Sequence, residues 1–275
     1  YNNLMSNTFK KYAVVGNPIS HSLSPIIHQS FADQFNFKIQ YEKIEIKPID
    51  FSKVIRELIS DGYIGLNVTL PFKGEAFKVC DHLSERAKYS KTVNTLTIKG
   101  KEIYGDTTDG SGLVEDLINQ DVVLKDKILL LLGAGGAAQA VMYDLIQKKP
   151  NTIYLTNRTI GKSYDMEKYW QSYAENNKVK LEVLPSKESI NFDLIINATS
   201  AGLNDNVSPI SSLIQGDHWY DMMYGKSTPF LKQALDQGAS KASGGIGMLI
   251  EQAAASFFIW HKLKPNTKLI YKELT

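Results

Sequence analysis

Leu129-Leu130-Leu131-Leu132-Gly133-Ala134-Gly135-Gly136-Ala137-Ala138 is the stretch that decides the fold of this chain. The leucine run reads as a buried strand, and the small residues after it as a tight turn opening a helix. Glycines let a backbone turn sharply and approach a pyrophosphate. The start of the following helix offers unpaired N–H groups and a partial positive charge. The spacing is Gly-x-Gly-Gly-x-Ala, with Ala138 where the third glycine of the common dinucleotide fingerprint would stand. Glycine turns join strands to helices in many proteins, so the match draws its weight from the strand-turn-helix context.

Moving outward, the next strand, Thr152–Thr156, ends in Thr156-Asn157-Arg158-Thr159, with Lys162 just beyond. Folds that prefer NAD usually place an acid here to accept hydrogen bonds from the ribose. An acid would repel the extra phosphate of NADP, whereas Arg158 and Lys162 would attract it. A charge-assisted hydrogen bond is worth roughly 1.5–3 kcal/mol, so two cations favour NADP by a decade or more. The plainer reading of the pair is a solvated basic turn.

Further out, strands and helices alternate, which predicts an α/β protein with mostly parallel sheets. Strands are expected at Tyr12–Gly16, Tyr41–Ile46, Ile64–Thr69 and Val93–Ile98. A helix begins at Ser24-Pro25 with Ser24 as its N-cap, and another carries Val54, Ile55, Leu58 and Ile59 up to Gly62. A second unit starts near Gly105. It holds helix Gly112–Asn119, strand Lys127–Leu132, helix Ala137–Lys148, strand Thr152–Thr156 and helix Lys162–Glu175. Strands Val179–Leu184, Asp193–Asn197 and Trp219–Asp221 follow, then helix Pro229–Asp236 and the apolar helix Met248–Leu263.

Composition narrows the function classes. The 275 residues carry a net charge of +2 with no basic stripe, so neither nucleic acid nor a membrane surface is an expected partner. The apolar runs are too short to span a bilayer. The opening residues lack the charged-then-apolar pattern of an export signal, and residues 1–4, which begin with Tyr1 rather than Met, read as a remnant. Cys80 is the single cysteine, which excludes an internal disulfide and suits a cytoplasmic location. His21, His28, His82, His218 and His261 are scattered, and no metal site is expected.

Three segments of the first unit place polar side chains at the ends of apolar strands. In Gly16-Asn17-Pro18-Ile19-Ser20-His21-Ser22-Leu23-Ser24-Pro25, hydroxyls stand beside a helix N-terminus, a setting that suits a carboxylate. In Asn67-Val68-Thr69-Leu70-Pro71-Phe72-Lys73 a lysine follows a strand through a Pro-Phe corner. In Gly105-Asp106-Thr107-Thr108-Asp109-Gly110 two acids flank a threonine pair. Each has a blander reading: Ser24 and the acids as helix caps, Lys73 as a solvated cation.

Taken with Val93-Asn94-Thr95-Leu96, Asn197-Ala198-Thr199-Ser200-Ala201-Gly202, Asp221-Met222-Met223-Tyr224 and Gly247-Met248-Leu249-Ile250-Glu251-Gln252-Ala253-Ala254, these segments resemble the shikimate dehydrogenase family from end to end. The resemblance implies an N-terminal α/β substrate domain (residues 5–105 and 246–275) and a Rossmann-type parallel-sheet NADP domain (106–245). The C-terminal helix would return to the first domain. It implies the NADPH-dependent reduction of 3-dehydroshikimate to shikimate, by a monomer or homodimer. Position by position, Ser22 and Ser24, helped by Tyr224, would bind the substrate carboxylate. Thr69, Lys73, Asn94, Asp109 and Gln252 would meet the ring hydroxyls and the reacting oxygen. Gly133, Ala134, Gly135, Gly136 and Ala137 would line the pyrophosphate, with Asn157, Arg158, Thr159 and Lys162 around the adenosine phosphate. Ala198, Thr199, Met222 and Gly245 would lie near the nicotinamide.

The residue types suit that chemistry. Hydride arriving at a ketone carbon drives negative charge onto oxygen, and a lysine ammonium, charged at neutral pH, can supply the proton. Lys73 and Asp109 are therefore expected to act as a coupled catalytic pair. Thr92, Thr107 and Gly244 depart from the family's usual alanine, asparagine and aspartate. Two alternatives stay open: a relative that also oxidises quinate, with relaxed cofactor use, and a ligand-binding homologue without catalysis.

Overall fold

A computed structural model describes residues 9–184, 190–199, 210–225 and 228–275. Residues 1–4, and Ser200, Ala201 and Gly202 of the motif that begins at Asn197, lie outside the described residues. The chain forms two compact units. One runs to Thr108 and resumes with Ala253–Glu273; the other is Asp109–Gln252 with Leu274–Thr275.

The first unit contains β1 (Lys10–Gly16), α1 (Ser24–Gln34), β2 (Ile39–Glu45), α2 (Phe51–Ser60), β3 (Tyr63–Val68), α3 (Lys73–Val79), β4 (His82–Leu83), α4 (Glu85–Ser90), β5 (Thr95–Lys99) and β6 (Glu102–Asp106). Its strands lie in the order β2-β1-β3-β5-β6-β4. β1 pairs in parallel with β2 and β3, while β5 runs antiparallel to both β3 and β6. With β4 parallel to β6, three of the five pairings are parallel and the sheet is mixed. The cause is a tight hairpin: Lys99 faces Glu102, and Gly100 takes the first turn position at φ +64°. One face of the sheet packs Ala13, Val15, Leu66, Val68 and Leu96 against Ile55 and Leu58 of α2.

Ser24 is not the N-cap of α1. Leu23 holds that position and its carbonyl accepts the first helical bond from Ile27 N–H, which places Ser24 in the first turn. The Ser24 N–H, which has no partner inside the helix, donates instead to Ser22 Oγ at 3.3 Å. The cap-like role has moved two residues upstream.

The second unit contains α5 (Asp109–Asn119), β7 (Ile128–Leu132), α6 (Gly136–Gln147), β8 (Thr152–Thr156), α7 (Ile160–Asn176), β9 (Lys180–Val183), β10 (Asn191–Asn197), β11 (Gln215–Asp221), α8 (Pro229–Asp236) and β12 (Lys241–Gly244). Its sheet is parallel throughout, in the order β12-β11-β10-β7-β8-β9. The four leucines of β7 explain themselves here. Leu129 and Leu131 enter one core with Val141, Leu145 and Trp170, while Leu130 and Leu132 enter another with Ile195, Trp219 and Phe230. Both faces of the strand are covered, so no position needs to be polar. Each such leucine contributes about 2 kcal/mol of burial. α9 (Ile246–His261) begins in the second unit and continues in the first, followed by α10 (Thr267–Leu274).

Candidate active site

In a doubly wound parallel sheet, ligands bind beyond the carboxyl ends of the strands, where the strand order reverses. The reversal here is between β7 and β10, which are adjacent although β8 and β9 intervene in the chain. The residues following these two strands meet directly. Ala198 N–H donates to Leu132 O at 2.9 Å, and Gly133 N–H donates to Thr156 O at 2.8 Å. Gly133 has φ +108°, and a Cβ there would stand 3.1 Å from Ala198 O. A side chain is excluded on both counts.

Gly135 and Gly136 behave differently. Among the described residues, a Cβ on either would meet nothing within 4 Å, and both glycines are exposed. Packing against the described residues does not require glycine at these two positions, whereas close approach by a pyrophosphate would. Gly135 is the N-cap of α6 and lends no side chain to it, so the first N–H groups of that helix are left for an anion. These features fit a dinucleotide.

The rest of the expected cofactor set lies along the same strand ends. Asn157 follows β8 and donates from Nδ2 to Thr159 O at 3.0 Å, closing the corner into α7. Arg158 and Lys162 on this corner are exposed, and no acid stands beside them in the corner. Beyond β10, Asn197 Oδ1 accepts from both the N–H and the hydroxyl of Thr199, at 3.0 and 2.7 Å. Met222 N–H donates to Asn197 O at 3.0 Å, and Gly245 N–H to Met223 O at 2.8 Å. At Gly245 a Cβ would fall 2.3 Å from Met222 O, so the two close on each other only because the residue is glycine. Gly244 stays in register opposite Asp221, so the departure there leaves the strand end intact. Tyr224, two residues past Met222, is 39% exposed.

The first unit gathers its expected residues on one sheet edge. Ser22 and Ser24 follow β1, Thr69 and Lys73 follow β3, and Asn94 leads into β5, which runs the opposite way. Ser22 Oγ donates to Ser24 Oγ at 3.2 Å. Thr69 N–H donates to Val15 O at 2.9 Å, and Lys73 O accepts at 3.0 Å from the N–H of Val93, the residue before Asn94. The Leu70–Pro71 peptide bond that forms the corner is cis, as is Asn17–Pro18. Asn94 Oδ1 accepts from Thr108 N–H at 2.9 Å, and its Nδ2 donates to Thr108 Oγ1 at 2.9 Å. Asp109, the next residue in the chain, opens α5 in the second unit.

Beneath these strand ends a buried polar chain joins Ser24 to Asn94 through Tyr41, Asn67, Ser256 and Thr95, to which the sequence analysis gave no role. Ser24 hydrogen-bonds the Tyr41 phenol, and Tyr41 donates to Asn67 Oδ1 at 2.7 Å. Asn67 Nδ2 reaches Ser256 Oγ at 3.0 Å, and Ser256 Oγ lies 2.8 Å from Thr95 Oγ1. Thr95 in turn donates to Asn94 Oδ1 at 2.8 Å. Burial pushes the Tyr41 phenol well above its ordinary pKa, so it remains a donor. Two signals could have found this chain. Asn67 sits among apolar strand residues, and Ser256 interrupts the apolar run from Ala253 to Trp260 in α9. Thr107 is buried with its hydroxyl unpartnered, so the departure there places a lone polar group where the family carries a carboxamide. Glu85 is an exposed residue of the first turn of α4.

A parallel sheet wound in this order, with a glycine-lined switch point and a basic corner one strand away, defines a dinucleotide-binding protein with a second α/β unit. Family profiles narrow this. Residues 14–96 match the shikimate dehydrogenase substrate binding domain, 116–204 the shikimate / quinate 5-dehydrogenase profile, and 245–275 the shikimate 5'-dehydrogenase C-terminal domain. A shikimate dehydrogenase (NADP(+)) of Colwellia psychrerythraea is 43% identical over 274 residues, covering 98% of each chain. Among solved structures, an Ael1 enzyme from Pseudomonas putida is 34% identical with a TM-score of 0.89, covering 97% of this chain and 98% of its own. Shikimate 5-dehydrogenase from Thermus thermophilus, in complex with NADP(H) and shikimate, is 29% identical with a TM-score of 0.85, covering 96% and 98%. The chain belongs to the shikimate dehydrogenase family.

Among the described residues, no group of histidine, cysteine and acidic side chains is placed to hold a metal ion. No described helix is long and apolar enough to cross a membrane.

Proposed function

We propose that the chain catalyses the reversible reduction of 3-dehydroshikimate to shikimate, with NADP(H) as cofactor. The observation that carries this reading is kinship over 98% of the chain's length in a sequence that keeps Lys73, Asp109 and the rest of the polar set. NADPH, when bound, supplies the hydride to the ketone carbon. Lys73 donates a proton to the ketone oxygen as negative charge gathers on it, and in the reverse direction takes the proton of the alcohol. Asp109 accepts a hydrogen bond from the neighbouring ring hydroxyl and orients it. Thr69, Asn94 and Gln252 bind the remaining ring oxygens, and Ser22, Ser24 and Tyr224 bind the carboxylate. Gly133, Ala134, Gly135, Gly136 and Ala137 cradle the pyrophosphate. Asn157, Arg158, Thr159 and Lys162 hold the adenosine phosphate, while Ala198, Thr199, Met222 and Gly245 line the nicotinamide end.

By function the substrate domain is residues 5–105 and 246–275 and the NADP domain is 106–245, while by packing residues 106–108 side with the first unit and 246–252 with the second. The enzyme works in the cytoplasm as a monomer or homodimer. Steady-state rates with shikimate and quinate, each with NADP and NAD, test the assignment. Shikimate with NADP should give the highest kcat/KM. Faster turnover of quinate with NAD, or no absorbance change at the reduced-cofactor band with any combination, would overturn it.

A further inference from the structure

Two glycines and one buried acid join α5 to the start of α9, all within the second unit. A Cβ on Gly112 would stand 2.6 Å from Gln252 Cβ and 2.8 Å from Met248 O, so the two helices touch backbone to backbone at this level. One turn further along α5, Asp116 is 3% exposed. Its carboxylate accepts from Tyr220 Oη at 2.5 Å, from Gln120 Nε2 at 3.1 Å and from the backbone N–H of Met248. A Cβ on Gly247 would lie 2.0 Å from Asp116 Oδ1, so the acid reaches the helix start only because that residue is glycine. A turn later again, Asn119 Nδ2 donates to Glu251 Oε1 at 2.9 Å. Positions 112, 116 and 119 form one face of α5, and 247–248 and 251–252 form the opposing face of α9.

This arrangement places an anion at the N-terminus of α9, where unpaired N–H groups and the helix dipole favour it. It also fixes a length. Asp109 is the first residue of α5, and Gln252 is held against the same helix one turn along. Sliding or rotating α9 on α5 would move Gln252 relative to Asp109.

We infer that Asp116 is a positioning residue: by holding the first turn of α9 to α5, it sets where Gln252 stands relative to Asp109. The inference rests on the proposed function, in which both of those residues meet the ring hydroxyls. Asp116 itself touches neither substrate nor cofactor in this scheme. It acts on the precision of substrate binding, and the pyrophosphate turn and the adenosine corner lie on other elements.

The test is steady-state kinetics on the full chain, with shikimate and NADP varied separately. The variants are Asp116→Asn, which keeps the shape but removes the charge, and Tyr220→Phe, which keeps the buried ring but removes one donor. Each is made alone and together with Gln252→Ala. The expected result for the single variants is a shikimate KM raised about tenfold, with the NADP KM unchanged. With Gln252 already removed, the same variants should add little further, because partners in one unit are not additive. An unchanged shikimate KM in both variants would overturn the inference. So would an equal rise in both KM values, which marks general loosening, or a full effect that persists without Gln252. Should Asp116→Asn fail to fold, Tyr220→Phe decides the matter. A Gln252→Ala variant with wild-type shikimate KM would sink the role of Gln252 and this inference with it. Wild-type behaviour of the two positioning variants alone would sink only the inference.

Discussion

At the scale of single residues, the proposed chemistry turns on Lys73. It opens α3 directly after the Pro71-Phe72 corner, and its carbonyl is tied to Val93. Its backbone is therefore held by the sheet edge, while its side chain is only partly buried. Removing a general acid typically costs a factor of about 10²–10⁴. Lys73→Ala should lower kcat by that order while leaving NADP binding, followed by fluorescence titration, near wild type. Wild-type turnover with only a higher shikimate KM would show that Lys73 binds without transferring a proton. Lysine was legible in the sequence as a candidate only through its motif, because most lysines are solvated. Asn67 and Ser256 went unassigned, since nothing in the local sequence states that a lone polar residue on an apolar element has a distant partner.

At the scale of elements, the proposed function makes the corner between β8 and α7 the carrier of cofactor preference. Arg158 and Lys162 are exposed there, and Asn157 pins the turn. Replacing both cations with alanine should raise the NADP KM by roughly a decade or more, the value of one or two charge-assisted hydrogen bonds, and leave the NAD KM little changed. Parallel loss of both cofactors would assign the cations to the fold instead. β7, β8 and α8 were readable almost to the residue, because burial on both faces and Pro229 mark them locally. The β5–β6 hairpin was missed although Gly100-Lys101 between two alternating runs is a hairpin signal. α10 was missed too; Asn266 caps it by accepting from Lys268 N–H at 3.0 Å, but its apolar face is short.

At the scale of the molecule, acid stability depends on histidines buried as neutral rings. His28 stacks on Tyr41 with ring centres 4.5 Å apart, and burial lowers its pKa to about 3. His218, bonded to Ser243 in the second unit, is lowered by burial to about 4. Below the ordinary histidine value of about 6.5 the unfolded chain takes up protons that these folded rings refuse. Their stability contribution is thus complete above that pH and is lost as pH falls toward their folded values. Burial raises the carboxyls of Asp116 and Asp221, which oppose this trend above the ordinary carboxylate range. Urea unfolding should show each unit losing about 1.4 kcal/mol per histidine between pH 7.5 and 5.5, and His28→Phe should remove its share in the first unit, leaving that of His261, which burial lowers to about 4. Equal midpoints at the two pH values would refute the assignment. By itself the sequence determined the nucleotide-binding half and the segments that bring polar side chains to the strand ends. All of these are written in runs of a few residues, where turn chemistry and burial period act locally. Only the tertiary structure decided that Ser22 rather than Ser24 serves the helix start, that Ser256 completes a polar chain begun at Tyr41, and that Asp116 meets Gly247. Those partners lie far apart in the chain, except for the serines, and their meeting depends on how whole elements bury their faces.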